Sequence, residues 1–272
     1  MRCFASAFIV SAILALPACG RPVATTPPPA DAPVELVALT GASIMIGAGD
    51  IASCTSLGDE ATAALVDSVL KADSAAHVDD AVFALGDTAY PDGTERDFAL
   101  CFTPSWGDSA KRIIRKIRPT PGNHEHTMEG ASPYYDYFGK NAGSPKKGYY
   151  SYSVGEWHVI VLNSEIVVNR QFTDAERKDQ DDWLRDDLKN NAKKCTVAYW
   201  HNPRWSSGWH GSDARLEVFW RPLYEAGVEL ALAGHDHNYE RFFPIGVAGV
   251  RDTTKGIVQM VVGTGGGGLR NL

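Results

Sequence analysis

An α/β domain with its reactive residues at the carboxyl ends of strands is the fold class this sequence predicts, and three observations lead to it. Short β-rich apolar runs recur at residues 43–48, 81–85, 158–162, 196–200, 229–233 and 257–262. Several of these runs are followed at once by Gly, Asp, Asn or His, so polar residues gather at strand ends. Between them lie helical patterns. The clearest is 173–190, where Thr173 is placed as an N-cap, Glu176 follows three residues later, and Trp183, Leu184 and Leu188 supply the apolar positions. Residues 60–72 and 213–226 read similarly. Strands alternating with helices imply an α/β domain, a class that binds ligands beyond the carboxyl ends of its strands.

The N-terminal end carries a different signal. Arg2 supplies positive charge, residues 4–16 are apolar, and Leu16-Pro17-Ala18-Cys19 closes the segment with small residues. The apolar run is too short to span a bilayer. A cysteine directly after small residues resembles the lipobox of bacterial lipoproteins, although Pro17 departs from the commoner pattern. Residues 1–19 are therefore expected to be an export signal, with Cys19 carrying a lipid that anchors the chain to a bacterial membrane in the cell envelope. An ordinary cleaved signal, leaving a periplasmic or secreted protein, is the alternative. Residues 20–35, rich in Pro, Ala and Thr without apolar periodicity, read as an extended tether. Residues 36–272, about 240 residues, are left for the folded part of the chain, enough for one large domain or two small ones.

The formal net charge of −7 and the absence of any basic run argue against a nucleic-acid partner. An anionic substrate would have to be drawn by local charge, and a metal centre is the strongest available. Of five cysteines, Cys3 falls in the signal and Cys19 is assigned to lipid, leaving Cys54, Cys101 and Cys195. Cys54 is expected to pair with Cys101, because each lies close to a segment that the motifs bring to one rim. Cys195 is then expected to be unpaired. Together with an ending just after Gly263-Thr264-Gly265-Gly266-Gly267-Gly268, a loop signal, this leads to the expectation of a truncated C-terminus.

Five clusters carry the chemistry: Gly49-Asp50, Gly86-Asp87-Thr88-Ala89-Tyr90, Gly122-Asn123-His124-Glu125, Tyr199-Trp200-His201 and Gly234-His235-Asp236-His237. A metal pair needs roughly seven protein ligands including one that bridges, and the clusters offer Asp50, Asp87, Tyr90, Asn123, His201, His235 and His237. Carboxylate, amide oxygen and imidazole suit borderline-hard metals, whereas a phenolate favours a trivalent ion such as ferric iron, which makes Tyr90 the informative residue. Glycine before Asp50, Asp87, Asn123 and His235 is expected to allow sharp turns. Any one Asp, Asn or His is more often a turn former than a ligand. Seven in order, each at a strand end, reverse that expectation. Tyr90 as a packed rim aromatic is the bland alternative. His77 and His126 are read as surface residues and His158 as a satisfied strand histidine.

This ordered set resembles the five-block signature of purple acid phosphatases within the metallophosphoesterase superfamily, over about residues 42–270. The broader superfamily has Asp-x-His in the first block, but Ala52 stands where that histidine would be, and Tyr90 in the second block replaces it. Gly-Asp-Ile-Ala at 49–52 departs from the Gly-Asp-x-Gly of the plant form without losing a ligand. The resemblance is to the single-domain bacterial members. It implies a four-layer α/β/β/α metallophosphoesterase sandwich. It also implies a ferric site of Asp50, Tyr90 and His237, a second site of Asn123, His201 and His235 for iron, zinc or manganese, and Asp87 as bridge.

By the same resemblance His124 and His210 stand beside the metals as catalytic residues. A leaving alkoxide needs a proton and the outer phosphoryl oxygens need donors, which imidazolium groups supply. A loop histidine in an aromatic-rich lid is the plainer reading of His210. The activity implied is hydrolysis of small-molecule phosphate monoesters by a metal-activated water, an acid phosphatase reaction. A phosphodiesterase or nucleotidase with the same centre is the first alternative, for which the aromatics of the loop from Trp205 to Trp209 would stack a base. A non-catalytic lipoprotein that binds phosphate or metal is the second.

Overall fold

The computed structural model describes residues 6–8, 13–15, 43–72, 79–191 and 195–270. Cys19, the tether at 20–35 and His77 lie outside the described residues. The run Ile-Met-Ile-Gly-Ala is buried at every position, as a strand in a parallel sheet covered on both faces must be. It is β3 (Ile44–Ala48), and it pairs in parallel with β4 (Ala81–Leu85), which pairs in parallel with β5 (Ile117–Thr120). Two short segments, β1 (Ser6–Phe8) and β2 (Ile13–Ala15), continue this sheet antiparallel beside β3. Sequence periodicity did not single out β5, because Arg118 and Pro119 interrupt its apolar pattern. Proline is tolerated there because β5 ends the sheet.

The second sheet runs in the order β10 (Tyr239–Arg241), β11 (Val258–Val262), β9 (Leu230–Ala233), β8 (Cys195–Tyr199), β7 (Trp157–Val161), β6 (Tyr150–Val154). Its four inner strands are parallel, and β6 and β10 are antiparallel at the edges. The two sheets meet through Phe83 and Tyr199, whose rings lie 6.2 Å apart. The hydroxyls of Tyr199 and Tyr150 bond across to the carbonyls of Arg118 and Pro119 on β5, at 2.7 and 2.9 Å.

Helices pack against both sheets. α1 (Gly58–Ala72) buries Ala63, Val66, Val69 and Leu70 at helical spacing, with acids in its first turn and Lys71 in its last. Next come α2 (Glu95–Asp97), opened by a capping box from Thr94, and a π-helical turn at Phe98–Phe102. α3 (Ile113–Lys116), α4 (Ser132–Phe138) and α5 (Glu165–Val168) are short. α6 (Asp174–Asn190) starts as its sequence predicts. The Thr173 hydroxyl accepts from Glu176 N–H while the Glu176 carboxylate accepts from Thr173 N–H. α7 (Glu217–Ala226) is preceded by one 3₁₀ turn, so the pattern starting at Asp213 divides in two. Leu184 of α6 and Phe219, Trp220 and Leu223 of α7 pack with Ile160, Ala198 and Ala231 of the second sheet. Among the described residues no helix is long and apolar enough to cross a membrane.

Cys54 and Cys101 form the expected disulfide, Cα to Cα 4.9 Å, tying the loop after β3 to the π-helical turn. Cys195 is not unpaired as expected: it is disulfide-bonded. Since Cys54 and Cys101 bond each other, its partner lies outside the described residues. His158 is satisfied on β7, 2.6 Å from the Asp187 carboxylate. His126 is buried rather than at the surface, edge-on to Phe172, and burial pushes its imidazole down to about 4.

Candidate metal centre

Six strand ends converge on one point. Asp50 follows β3, Asp87 follows β4, Asn123 follows β5, His201 follows β8, His235 and His237 follow β9, and the glycine-rich loop follows β11. Asp50, Asp87 and His235 have φ of 58°, 48° and 70°, a left-handed conformation unusual for such residues. The loops hold one another in it. Asp50 N–H bonds the Gly86 carbonyl at 3.1 Å, Ile51 N–H the Asp87 carbonyl at 2.9 Å, and the Asp50 carboxylate accepts from His235 N–H at 2.8 Å.

The glycines before the ligands act mainly by close approach. Only Gly86 has a positive φ, 81°. A Cβ on Gly122 would collide with the Asp87 carboxylate, and one on Gly234 would stand 2.7 Å from an Asp50 oxygen. The expected sharp turns therefore lie one residue later, on the aspartates and the histidine, and glycine clears space for the carboxylates.

The seven predicted donors come together in two groups sharing Asp87. In the first, the Tyr90 hydroxyl lies 3.0 Å from Asp50 Oδ1, 3.0 Å from His237 Nε2 and 3.3 Å from Asp87 Oδ2. In the second, His201 Nε2 lies 3.1 Å from Asn123 Oδ1, 3.2 Å from His235 Nδ1 and 3.3 Å from Asp87 Oδ2. Asp87, His201 and His235 each place a ligand atom within 4.8 Å of the others.

Backbone carbonyls set the tautomers. His201 Nδ1 donates to Leu85 O at 2.7 Å and His237 Nδ1 to Gly268 O at 2.7 Å, which aims each Nε2 inward. One phenolic proton then faces three acceptor atoms in the first group. Donors bound about 2.1 Å from one ion stand roughly 3 Å from each other, and these spacings match. Burial opposes a charge on His201, yet Asp87 and Asp50 hold it protonated up to about 10, so the pocket calls for positive charge. Burial, then the charge of His201, push His235 down to about 3. Burial, then Asp50 and Asp87, push the Tyr90 phenol far above its usual range. The donor set fits a pair of borderline-hard cations, and only a cation would let that phenol ionise.

His124 and His210 stand beside this cluster. His124 lies edge-on to Tyr90, ring centroids 4.6 Å apart, with Nε2 3.8 Å from Asp87 Oδ2, and its Nδ1 bonds the Pro91 carbonyl. His210 lies over His235, centroids 4.0 Å apart. The sequence motif alone gives Asp236 no role. Buried, it accepts from both the backbone N–H and Nδ1 of His210 at 2.9 Å, and from the Ser206 hydroxyl. Trp205 is not part of a lid. It packs against Trp220, centroids 6.1 Å apart, which leaves Trp209 as the exposed aromatic of that loop.

Glu125 is a second residue whose role the sequence did not reveal. Fully buried, it accepts from Asp87 N–H at 3.0 Å, Gly122 N–H at 2.7 Å, Thr88 N–H at 2.7 Å and the Thr88 hydroxyl at 2.8 Å. It clamps the second and third loops together. Its place directly after His124 was the only available signal.

Comparison with known proteins bears on the family and the fold. The calcineurin-like phosphoesterase family model matches residues 48–239, which includes all seven donors. Purple acid phosphatase 15 of Arabidopsis thaliana is 26% identical over 195 residues, 60% of this chain and 36% of the relative. Probable purple acid phosphatase 20 of the same plant is 32% identical over 169 residues, 53% and 38%. Acid phosphatase type 7 of Homo sapiens is 26% identical over 211 residues, 65% and 44%. The chain thus spans less than half the length of these curated relatives. Among solved structures, a purple acid phosphatase from yellow lupin (Lupinus luteus) seeds superposes with TM-score 0.66 at 20% identity, covering 84% of this chain and 45% of its own. The inner-membrane-complex anchor GAP50 of Plasmodium superposes with TM-score 0.60 at 16% identity, covering 81% and 71%. These two likenesses concern the fold, whereas the family match runs through the site itself, and the chain belongs to the calcineurin-like phosphoesterase family.

Proposed function

We propose that this chain hydrolyses phosphate monoesters at a dinuclear centre of ferric iron and a second divalent metal. Asp50, Tyr90 and His237 would hold the ferric ion, Asn123, His201 and His235 the iron, zinc or manganese beside it, and Asp87 would bridge. The observation that carries the reading is the Tyr90 hydroxyl facing Asp50, Asp87 and His237 at 3.0–3.3 Å, a hard oxygen donor where a packed rim aromatic would have no reason to point. When bound, the metals supply Lewis acidity toward the phosphoryl oxygens and a nucleophilic water in acid solution.

The protein's own groups then handle charge and protons. His210 is oriented by Asp236 and lies over His235, with its Nε2 beside the Arg270 guanidinium at 3.5 Å, so that edge would meet a phosphoryl or leaving-group oxygen together with Arg270. His124 is held by Pro91 and Asp87 on the opposite flank, beside Tyr90. Two imidazoles on two flanks suit one to protonate the leaving alkoxide and the other to donate to an outer oxygen.

Metal analysis of protein purified without chelator, beside turnover of 4-nitrophenyl phosphate and bis(4-nitrophenyl) phosphate, tests the proposal. Monoester turnover with about two metals per chain supports it, and preference for the diester favours the phosphodiesterase reading. Bound metal with zero turnover would make the chain a binder.

Export to the cell envelope with a lipid on Cys19 belongs to the same proposal. The Cys54–Cys101 disulfide supports an oxidising compartment. Peptide mapping of Cys195, with labelling by a fatty acid in wild type and Cys19→Ala, decides between anchored and soluble forms.

A further inference from the structure

Pro104-Ser105-Trp106-Gly107, just after the π-helical turn, supplies no donor to the centre, yet Ser105 and Trp106 are fully buried. Both side chains bond the opening of α1. The Ser105 hydroxyl donates to the Asp59 carboxylate at 2.5 Å, and the Trp106 indole N–H donates to the Thr62 hydroxyl at 3.0 Å. An indole N–H can only donate, so the Thr62 oxygen accepts it and sends its own proton to a carbonyl. Two carbonyls are within reach. A threonine in a helix ordinarily bonds back to the preceding turn, here Asp59 O at 3.2 Å, but Gly265 O is closer at 2.5 Å and 203 residues away in the chain. The hydroxyl thus ties α1 to the glycine-rich loop after β11.

That loop backs the Tyr90 half of the centre. Gly265 N–H bonds the Gly49 carbonyl and Gly267 N–H the Asp50 carbonyl, both at 2.8 Å. Gly267 lies so close to the Tyr90 ring that a Cβ there would stand 2.7 Å from Cε2. Gly268 O accepts from His237 Nδ1 at 2.7 Å, the bond that aims Nε2 at the Tyr90 hydroxyl. Asp50, Tyr90 and His237 are therefore backed by Gly265-Gly266-Gly267-Gly268, a stretch with no side chains of its own to pack and a high entropic cost of being held in one conformation. The other half is oriented elsewhere, His201 by Leu85 O.

We propose that Thr62, with its proton directed by Trp106, is a positioning residue for the Tyr90 half of the centre. By holding Gly265 it keeps Gly268 O on His237 and Gly267 against Tyr90. The proposal rests on the ferric reading of that half, and it expects loss at one metal site only, because that half leans on the loop.

The test titrates each metal into the full chain of wild type, Thr62→Val and Thr62→Ser, with the visible spectrum recorded beside it. Thr62→Val, at a partly exposed position, keeps the shape of the side chain and removes the donor. Its affinity for ferric iron is expected to fall roughly 10–100-fold, the usual cost of removing an outer partner of a metal ligand, with the visible band shifted and the second metal held as in wild type. Thr62→Ser, which keeps the hydroxyl, should restore both. Equal weakening of both metals would show general destabilisation and overturn the proposal. Unchanged ferric affinity in Thr62→Val, or Thr62→Ser as weak as Thr62→Val, would overturn it too. If wild type takes up no iron, the ferric reading fails instead. NMR of the metal-free protein then still decides on Thr62. Solvent exchange of the His237 Nδ1–H is expected to be roughly tenfold faster in Thr62→Val than in wild type or Thr62→Ser, and equal rates in all three overturn the positioning role.

Discussion

The Glu125 carboxylate accepts the backbone N–H of Asp87 at 3.0 Å, and with it Gly122 N–H, Thr88 N–H and the Thr88 hydroxyl. A buried acid thus fixes the loop that carries the shared carboxylate. Burial, then the negative charge of Asp87, raise the Glu125 carboxyl above its usual range, while the two loops' amides work to keep it ionised. Glu125→Gln turns one of those oxygens into an NH₂ group facing donors. The variant is expected to lose about 3 kcal/mol of stability, the loss of roughly two bonds to a charged acceptor, and to hold less metal. Urea unfolding with metal analysis checks this, and unchanged stability and occupancy would remove Glu125 from its anchoring role.

Tyr90→Phe removes one oxygen and keeps the ring, so the edge-on contact with His124 should survive. Iron-loaded wild type is expected to absorb in visible light through a phenolate-to-iron transition, and the variant to be bleached or strongly shifted with a weaker ferric site. Spectra must be read beside metal analysis, because two zinc ions would be colourless. If the iron-replete proteins share one visible spectrum, Tyr90 is not a ligand.

His124→Ala and His210→Ala are expected to keep both metals and lose kcat by roughly ten- to ten-thousand-fold. Asp236→Ala should follow His210→Ala, because the carboxylate holds both the backbone N–H and Nδ1 of that residue. Steady-state kinetics on metal-matched protein give the answer. Loss of metal in His124→Ala or His210→Ala would make that residue a ligand, and full activity in Asp236→Ala would leave His210 oriented by something else.

Asp59 opens α1 inside the protein, with its carboxylate accepting from the Ser105 hydroxyl at 2.5 Å. Burial raises it from 3.8 to about 6, against the lowering effect of that bond and with help from Glu60. The folded state therefore binds the proton more tightly than the unfolded chain. Its contribution is fully present below pH 4 and is lost as pH rises through about 6. Asp59→Asn should flatten the stability profile between those values and gain up to ~3 kcal/mol relative to wild type at pH 7. Thermal unfolding at pH 4.5 and pH 7 measures it, and equal slopes in both proteins would show that Asp59 titrates normally.

Strands β3, β4, β7, β8, β9 and β11, the capped α6, the order of the seven donors and the Cys54–Cys101 pairing were legible in the sequence. Each rests on local features: alternation of apolar runs with turn residues, a Thr173–Glu176 capping box, and glycine beside a polar residue at a strand end. Tertiary structure alone decided the rest. Asp50 and His235 are 185 residues apart yet bond at 2.8 Å, and no local pattern encodes such a distance. The same holds for the glycines, needed where one loop's carboxylate crowds another loop's backbone, and for Glu125, whose four donors come from two loops. β5 escaped notice because an edge strand tolerates Arg118 and Pro119, and Trp205 and His126 were misplaced because burial depends on what packs over a residue. Donor chemistry is written residue by residue, whereas position comes from contacts between segments far apart in the chain, which only the folded sheets bring together.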